Sequence, residues 1–557
     1  MYRLLFVVIT LLSVNLSIAN TVTGTHGAVS TRSQIASDVG IAILEQGGNA
    51  ADAAVAVGFA LAVAYPSAGN IGGGGFFVLR MADGEVITLD ARETAPLAAS
   101  RDMYLDADGE VNRRLSMSTA LSTGVPGSVA GLLALLERYG TLSREQVLEP
   151  AIRLAETGFE LNEDLARQFT QNLRRMGSFP ASIEIFSKNG TSYLAGDRWV
   201  QSDLAATLQR ISDSGRDGFY AGRTADLLVA EMERNNGLIS HADLIAYQPV
   251  WREAIHGTYR GYDIWSMPPA SSGGVLLVQM LNMLEPHEIA EPGWGSQQAS
   301  HLMIEAQKRA YADRARHLGD ADFYPVPVAQ LIGKGYAGQR FADFDPSSAK
   351  PSADIFAGSW PDEGTQTTHY SIMDSEGNAI SVTTTLNSGY GNKMVVTDAG
   401  FLLNNEMGDF TPKVNTAGGY GLMGEEANLI APGKRMLSSM TPTIVSEDGV
   451  NVLITGSPGG ATIINTVFHV VVNFIDHRMG IADAVASPRF HHQWQPDSVR
   501  FEDGAFNTGV QRQLEAMGHS QVRSAGFGLG DANSISYDGE TFTATSDPRN
   551  AGGASSY

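Results

Sequence analysis

The 557-residue sequence has no cysteine. That removes a disulfide framework, a thiolate zinc site and a cysteine nucleophile. It is also short of positive charge: 38 Lys and Arg stand against 60 Asp and Glu, a formal net charge of -22, with no basic cluster. Nucleic acid and anionic membrane are disfavoured as partners, because phosphate recognition needs clustered cations. The acidity reads as solubility rather than substrate choice. Long hydrophobic runs are lacking too. Leu4 to Leu12 is apolar but is broken by Ser13 and Asn15, and Ala50 to Tyr65, rich in Ala and Val and stopped by Pro66, reads as a buried helix rather than a membrane span. Gly72-Gly73-Gly74-Gly75 has no Lys-Ser or Lys-Thr after it, so no phosphate-binding loop is expected, and no cofactor is implied. No metal is expected: adjacent His491 and His492 on an extended strand point to opposite faces, one of them structural, and no carboxylate cluster stands nearby. Ser347-Ser348-Ala349-Lys350 matches Ser-x-x-Lys but sits in a Pro-bracketed loop without a Lys-Thr-Gly partner.

What is present begins with Met1-Tyr2-Arg3, the short apolar stretch, and Ser17-Ile18-Ala19, the pattern of a secretory leader over residues 1–19. Cleavage after Ala19 predicts export, to a bacterial periplasm or beyond the cell, where a chain free of thiols is at ease; retention of the stretch as an uncleaved anchor helix is the alternative. Ser33 to Leu173 is mostly helical, interrupted by a hairpin from Phe76 to Met81, turning at Asp83-Gly84 and returning from Glu85 to Arg92. Gln201 to Leu244 and Gln297 to Leu331 are again helical, and His301, Glu305, Lys308, Arg309 and Asp313 read as a solvated charged face. Asp345 to Glu363, rich in Pro, Ser, Asp and Gly, reads as a loose loop. Beyond it the chain becomes strand-rich, with hairpins at Thr368 to Leu386, Thr441 to Gly456 around Asp448-Gly449, and Ser534 to Thr545 around Asp538-Gly539. Length alone suggests more than one domain.

Gln366-Thr367-Thr368-His369-Tyr370-Ser371 places Thr367 at the leading edge of the first of these hairpins, with Asp374-Ser375-Glu376-Gly377 supplying its turn. A mid-chain threonine hydroxyl is a poor nucleophile. If the bond before it is cut, the new α-amine, with a pKa of roughly 7.7 to 8, becomes a general base on the same residue. Further segments stand out in order: Gly47 to Ala53, Gly72 to Gly75, Arg92-Glu93-Thr94-Ala95-Pro96, Pro268 to Gly274, Leu437-Ser438-Ser439-Met440, Gly456-Ser457-Pro458-Gly459-Gly460 and Asp547-Pro548-Arg549. Together with Thr367 to Asn378 and Thr383 to Asn387, this series resembles the γ-glutamyltransferases (γ-glutamyl transpeptidases, glutathione hydrolases), which are N-terminal-nucleophile hydrolases, from about Val22 to the C-terminus.

The resemblance implies an α+β fold, a four-layer αββα sandwich built jointly by two fragments of one precursor. Residues 20–366 would form a large subunit and 367–557 a small one, after self-cleavage between Gln366 and Thr367. Thr367 would be the nucleophile and Thr385 its orienting partner, with Gly459 and Gly460 giving backbone donors to an oxyanion. Arg92 with Ser438 and Ser439 would hold the substrate α-carboxylate, and Asn387, Glu406 and Asp409 the α-ammonium. Tyr420, within Lys413 to Glu425, would belong to a lid. The expected reaction passes a γ-glutamyl group from glutathione or related compounds to water or to an amino acid or dipeptide acceptor. The alternative within the family is a glutaryl-type cephalosporin acylase using the same threonine; Asp409 argues for a substrate bearing an amine. A solute-binding protein holding γ-glutamyl compounds without turnover is the reading from another class.

Overall fold

Side-chain alternation along the strands sets the architecture. The computed structural model describes residues 20–356, 367–414, 416–417 and 423–557, so residues 1–19 and 357–366 and Tyr420 lie outside the described residues. Its strands are β1 (Thr21–Gly24), β2 (Ala28–Thr31), β3 (Gly74–Arg80), β4 (Val86–Ala91), β5 (Val250–Arg252), β6 (Ile255–Tyr259), β7 (Tyr262–Ser266), β8 (Thr368–Met373), β9 (Ala379–Thr385), β10 (Thr443–Glu447), β11 (Val450–Thr455), β12 (Ser534–Tyr537), β13 (Phe542–Thr545) and β14 (Gly553–Ser556), besides short peripheral pairs. They form two seven-stranded sheets, β14-β2-β8-β9-β3-β4-β5 and β1-β13-β12-β11-β10-β7-β6. The β3–β4, β8–β9, β10–β11 and β12–β13 hairpins fall where the turn residues place them. Strands β5 to β7, over 250–266, were not anticipated, because only a short Arg260-Gly261 turn marks them.

Because successive side chains point to opposite faces, each strand serves two layers. Phe77, Leu79, Tyr370, Ile372, Ile380 and Val382 pack under α1 (Gln34–Glu45), α2 (Ala50–Ala64), α3 (Ser128–Tyr139) and α4 (Arg144–Thr157). Phe76, Val78, Met373 and Ala379 meet Ile444, Ile454 and Ile535 between the sheets. Val445 and Leu453 point the other way, towards α6 (Gly273–Leu284), α7 (Gln297–His317) and α8 (Thr462–Ile475); α5 (Glu163–Met176) lies on the first flank. The order is helices, sheet, sheet, helices. Helix α2 is buried on every side, as its apolar run beyond Asp52 requires, and starts from a capping box of Asn49 and Asp52. Length pointed to separate domains; instead, β8 and β9 from beyond residue 366 sit between β2 and β3 from before it.

The charged residues of α7 correct a second expectation. His301, Glu305, Lys308, Arg309 and Asp313 are buried, not solvated. Glu305 carboxylate oxygens lie 2.9 Å from Lys308 Nζ and 2.6 Å from Arg309 Nη1, and Asp313 takes Arg340 at 2.9 Å. Periodicity reveals which residues share a face but not whether another layer covers it. The cover is the stretch read as a loose loop. Lys308 Nζ donates to Lys350 O at 2.9 Å, His301 Nε2 lies 2.9 Å from Asp345 O, and Trp494 Nε1 donates to Ser352 O and Ile355 O at 2.9 and 2.8 Å. The chain is therefore held as far as Ile355, while Phe356 is 86% exposed. His491 and His492 are both buried: the first meets Asn465 and Gln493, the second Asp497.

Candidate active site

The register Thr368↔Thr384 carries Thr367, one step further out, beside Thr385. The Thr367 hydroxyl points to Thr385 Oγ1 at 3.5 Å, and both side chains are buried. Thr385 Oγ1 accepts from Asn387 N at 2.7 Å, which steadies a turn where Asn387 adopts φ 75°. Asn387 Nδ2 in turn donates to Asn405 O at 2.9 Å. Asn70 pins the end of β9 from the helical side, donating to Thr385 O at 2.9 Å and Thr384 Oγ1 at 3.1 Å. His369 is not poised as a base for Thr367. Its ring nitrogens sit 3.0 Å from Thr383 Oγ1 and 3.0 Å from Ser371 Oγ, and burial pulls its pKa down to about 3, leaving it neutral and occupied.

Strand β11 runs into Gly456, where an added Cβ would fall 2.4 Å from the His369 ring, so the turn that follows lies against the nucleophile strand. In that turn Gly459 and Gly460 have φ of 137° and 58°, and a Cβ on Gly459 would fall 2.4 Å from Thr462 Oγ1. Only glycine suits the place. Gly459 O accepts from Thr462 N at 3.1 Å, so the two glycines lead directly into the N-terminus of α8, an environment favourable to negative charge.

Arg92 leaves the end of β4 into a pocket where it is only 1% exposed. Its Nη1 lies 2.6 Å from Glu406 Oε2, its Nη2 2.6 Å from Asp409 Oδ2, and Glu93 stands 3.7 Å away. One guanidinium thus faces three carboxyls. Burial, opposed by Arg92, raises the Glu93 pKa to about 8 and holds Glu406 well above, and Asp409 above, the usual carboxylate range. The residues expected to grip the two ends of a zwitterion therefore grip one another. Arg92 Nε also donates to Met436 O at 3.3 Å, which brings the adjoining Ser438 and Ser439 to this side. Ser438 Oγ accepts from Met440 N at 3.1 Å, and Ser439 Oγ accepts from Arg314 Nη2 at 3.2 Å.

Two groups of expected site residues emerge: Thr367, Thr385 and Asn387 in one chain of contacts, and Arg92, Glu406 and Asp409 in another. Asn405, adjacent to Glu406 in sequence, joins them. Sequence reasoning did not single out Asn405, Asn70, Glu93 or Arg314. Asn405 and Glu93 adjoin residues already singled out, but only the fold shows the part played by Asn70 and Arg314. Gln366 and Tyr420 lie outside the described residues; the feet of the expected lid, Thr416–Ala417 and Met423–Gly424, pair as an antiparallel ribbon.

The chain is similar to known proteins over nearly its whole length. The chain is 46% identical over 526 residues to the glutathione hydrolase proenzyme of Escherichia coli (strain K12), covering 94% of this chain and 90% of the relative. The crystal structure of cephalosporin acylase from Bacillus halodurans matches with a TM-score of 0.84 at 26% identity, covering 97% of each chain. That of γ-glutamyltranspeptidase from Helicobacter pylori matches with a TM-score of 0.57 at 46% identity, over 58% of this chain and 93% of that one. The four layers are those of the N-terminal-nucleophile hydrolases. The family model for gamma-glutamyltranspeptidase matches residues 36–557, and the chain belongs to that family.

Proposed function

We propose that the protein is a self-processing γ-glutamyltransferase that cleaves the γ-glutamyl amide of glutathione and related compounds. The observation that carries this reading is the Thr367 hydroxyl, at the leading edge of β8, directed at Thr385, with Gly456, at the head of the Gly459-Gly460 turn, against His369 of the same strand. In maturation, Thr367 Oγ1 attacks the Gln366 carbonyl and the peptide nitrogen leaves as the threonine amine. Water then hydrolyses the resulting ester, giving fragments 20–366 and 367–557.

In turnover, Oγ1 bonds to the γ-carbonyl carbon while its proton passes to the Thr367 amine. The Gly459 and Gly460 N–H groups steady the oxyanion, the C–N bond breaks, and the departing amine takes the proton. Water or the amine of an amino acid or dipeptide acceptor, deprotonated by the same group, resolves the ester. Arg92, Ser438 and Ser439 take the substrate carboxylate; Asn387, Glu406 and Asp409 take its ammonium. Lys413 to Glu425, with Tyr420, serves as the lid. No helix among the described residues is long and apolar enough to cross a membrane, and residues 1–19, outside the described residues, are assigned as an export leader to the periplasm or beyond.

N-terminal sequencing of the purified protein is expected to yield a chain beginning Thr-Thr-His-Tyr, and Thr367→Ala to give one uncut, inactive chain. Two fragments from Thr367→Ala would refute the maturation step.

A further inference from the structure

In a chain of net charge -22, positive side chains gather in one place. A groove of about 1130 Å³ is lined by Arg32, Arg114, Arg167, Arg174, Arg175 and Lys393 against a single carboxylate, that of Asp164. Arg32 is paired with Asp531 and Arg167 with Asp164. Arg114, Arg174 and Arg175 are exposed, and no ion pair engages them among the described residues. Arg174 and Arg175 occupy the last turn of α5, where the helix dipole welcomes cations. Stability of that helix therefore accounts for two of the charges, but not for Arg114, on the helix Arg113–Ser118, nor for Lys393 beyond β9. Lys393 donates to Gly389 O and Gly391 O at 2.6 and 2.7 Å, and burial, reinforced by the like charge of Arg175, pulls its pKa down to about 8. The groove is a positive field in which, among the described residues, only Arg32 and Arg167 are paired with a carboxylate.

Its position relative to the nucleophile is defined by hydrogen bonds. Ser388, which lines the groove, follows Asn387 directly, and its Oγ accepts from Asn405 Nδ2 at 2.9 Å. The same Asn405 holds Asn387, which is tied through Thr385 to Thr367. Asn405 Nδ2 also donates to the backbone oxygen of Met117, another groove residue, at 2.9 Å. The groove thus shares a wall with the pocket for the γ-glutamyl group. Its volume exceeds what a small ligand needs, since pockets for drug-sized molecules run to roughly 300–1,000 Å³. Gln168, Gln171 and Asn172 along α5 can both donate to and accept from peptide groups.

We infer that this groove receives the leaving-group side of an acidic peptide, a chain bearing several carboxylates joined to the reacting γ-glutamyl residue. The inference rests on the proposed role of Thr367 and adds the substrate class that the site favours. Arg114, Arg174 and Arg175 supply unpaired cations to the carboxylates, while the γ-glutamyl group occupies the Arg92 pocket.

The test compares kcat/KM for γ-glutamyl-Asp-Asp-Asp, γ-glutamyl-Gly-Gly-Gly-amide and γ-glutamyl-p-nitroanilide in the wild type and in R114Q/R174Q/R175Q. The wild type is expected to favour the acidic over the neutral peptide roughly tenfold, the size expected of three exposed cation–carboxylate contacts. The preference should vanish in the triple variant and at about 1 M NaCl, where screening acts within roughly 3 Å, with anilide turnover by the variant unchanged. No preference in the wild type, or an equal loss on all three substrates, would overturn the inference. Failure of the wild type to turn over the anilide would instead sink the proposed function. Calorimetric titration with a triaspartate peptide reads the groove without turnover: binding lost in the triple variant supports it, and absence of binding, or binding of tripolyphosphate alone, overturns it.

Discussion

Asp409→Asn separates recognition of the substrate amine from every other task of the pocket. The exchange keeps the side-chain shape and removes one charge from a group that is 17% exposed and 2.6 Å from Arg92 Nη2. A hydrogen bond to a charged partner is worth about 1.5–3 kcal/mol, so kcat/KM for γ-glutamyl-p-nitroanilide should fall by roughly 10- to 150-fold. Glutaryl-p-nitroanilide has the carboxylate but no amine and loses no such bond. It also meets an Arg92 relieved of one competing carboxylate, so its kcat/KM should hold or rise. The ratio between the two substrates is therefore expected to shift by at least about tenfold. Initial rates of p-nitroaniline release measure it, once a gel has shown that the variant still matures. A parallel fall on both substrates would refute the reasoning and leave Asp409 as a support for Arg92.

Thr385→Val removes the hydroxyl facing Thr367 and the acceptor for Asn387 N. At about 1–3 kcal/mol for an unsatisfied buried donor, self-cleavage followed on a gel and anilide turnover should both slow by roughly 5- to 150-fold; an undiminished rate of both would remove Thr385 from the machinery. Burial keeps Glu93, with its pKa near 8, and also Glu406 and Asp409 protonated above the normal range. A bound ammonium favours their ionised forms, so binding releases protons and KM for the γ-glutamyl anilide should fall as pH rises towards about 8. A pH-independent KM would contradict this. Glu305→Gln leaves Lys308 and Arg309 without their shared carboxylate inside α7; the expected loss is about 3–5 kcal/mol of stability, read from denaturant midpoints, and a loss below about 1 kcal/mol would show that the pair is effectively solvated.

The hairpins of the two sheets were legible because period-two alternation and Asp-Gly or Gly turns are local signals. The apolar run of α2 was legible because it too is a local signal. The charged face of α7 was misread because its cover arrives from residues 343–355, far along the chain, and spacing within a helix carries no record of what is laid over it. Strands β5 to β7 are short and flanked by an ordinary Arg-Gly turn, too little pattern to separate from loop. In the candidate site, residues inside recognisable motifs could be named in advance, Thr367, Arg92 and Asp409 among them. Their pairing could not. That Arg92 lies against Glu406 and Asp409 depends on β4 and the turn after Leu403 converging in space. Asn70 and Arg314 act by hydrogen bonds across more than a hundred residues of sequence, to Thr385 and to Ser439, which no local pattern records.

The interleaved order β2-β8-β9-β3 has a consequence for a severed chain. Each fragment supplies ribs that the other must flank, so scission of the backbone leaves them dovetailed and frees neither. Once both are fully denatured, however, a unimolecular search becomes a bimolecular one: recovery requires two separate polypeptides to meet and to thread a shared sheet, and it slows with dilution. The unsevered precursor keeps its tether, so assembly is a task best completed before the cut. The nick then acts as a one-way ratchet, after which persistence of the native state depends on how slowly it comes apart rather than on how readily it can be rebuilt.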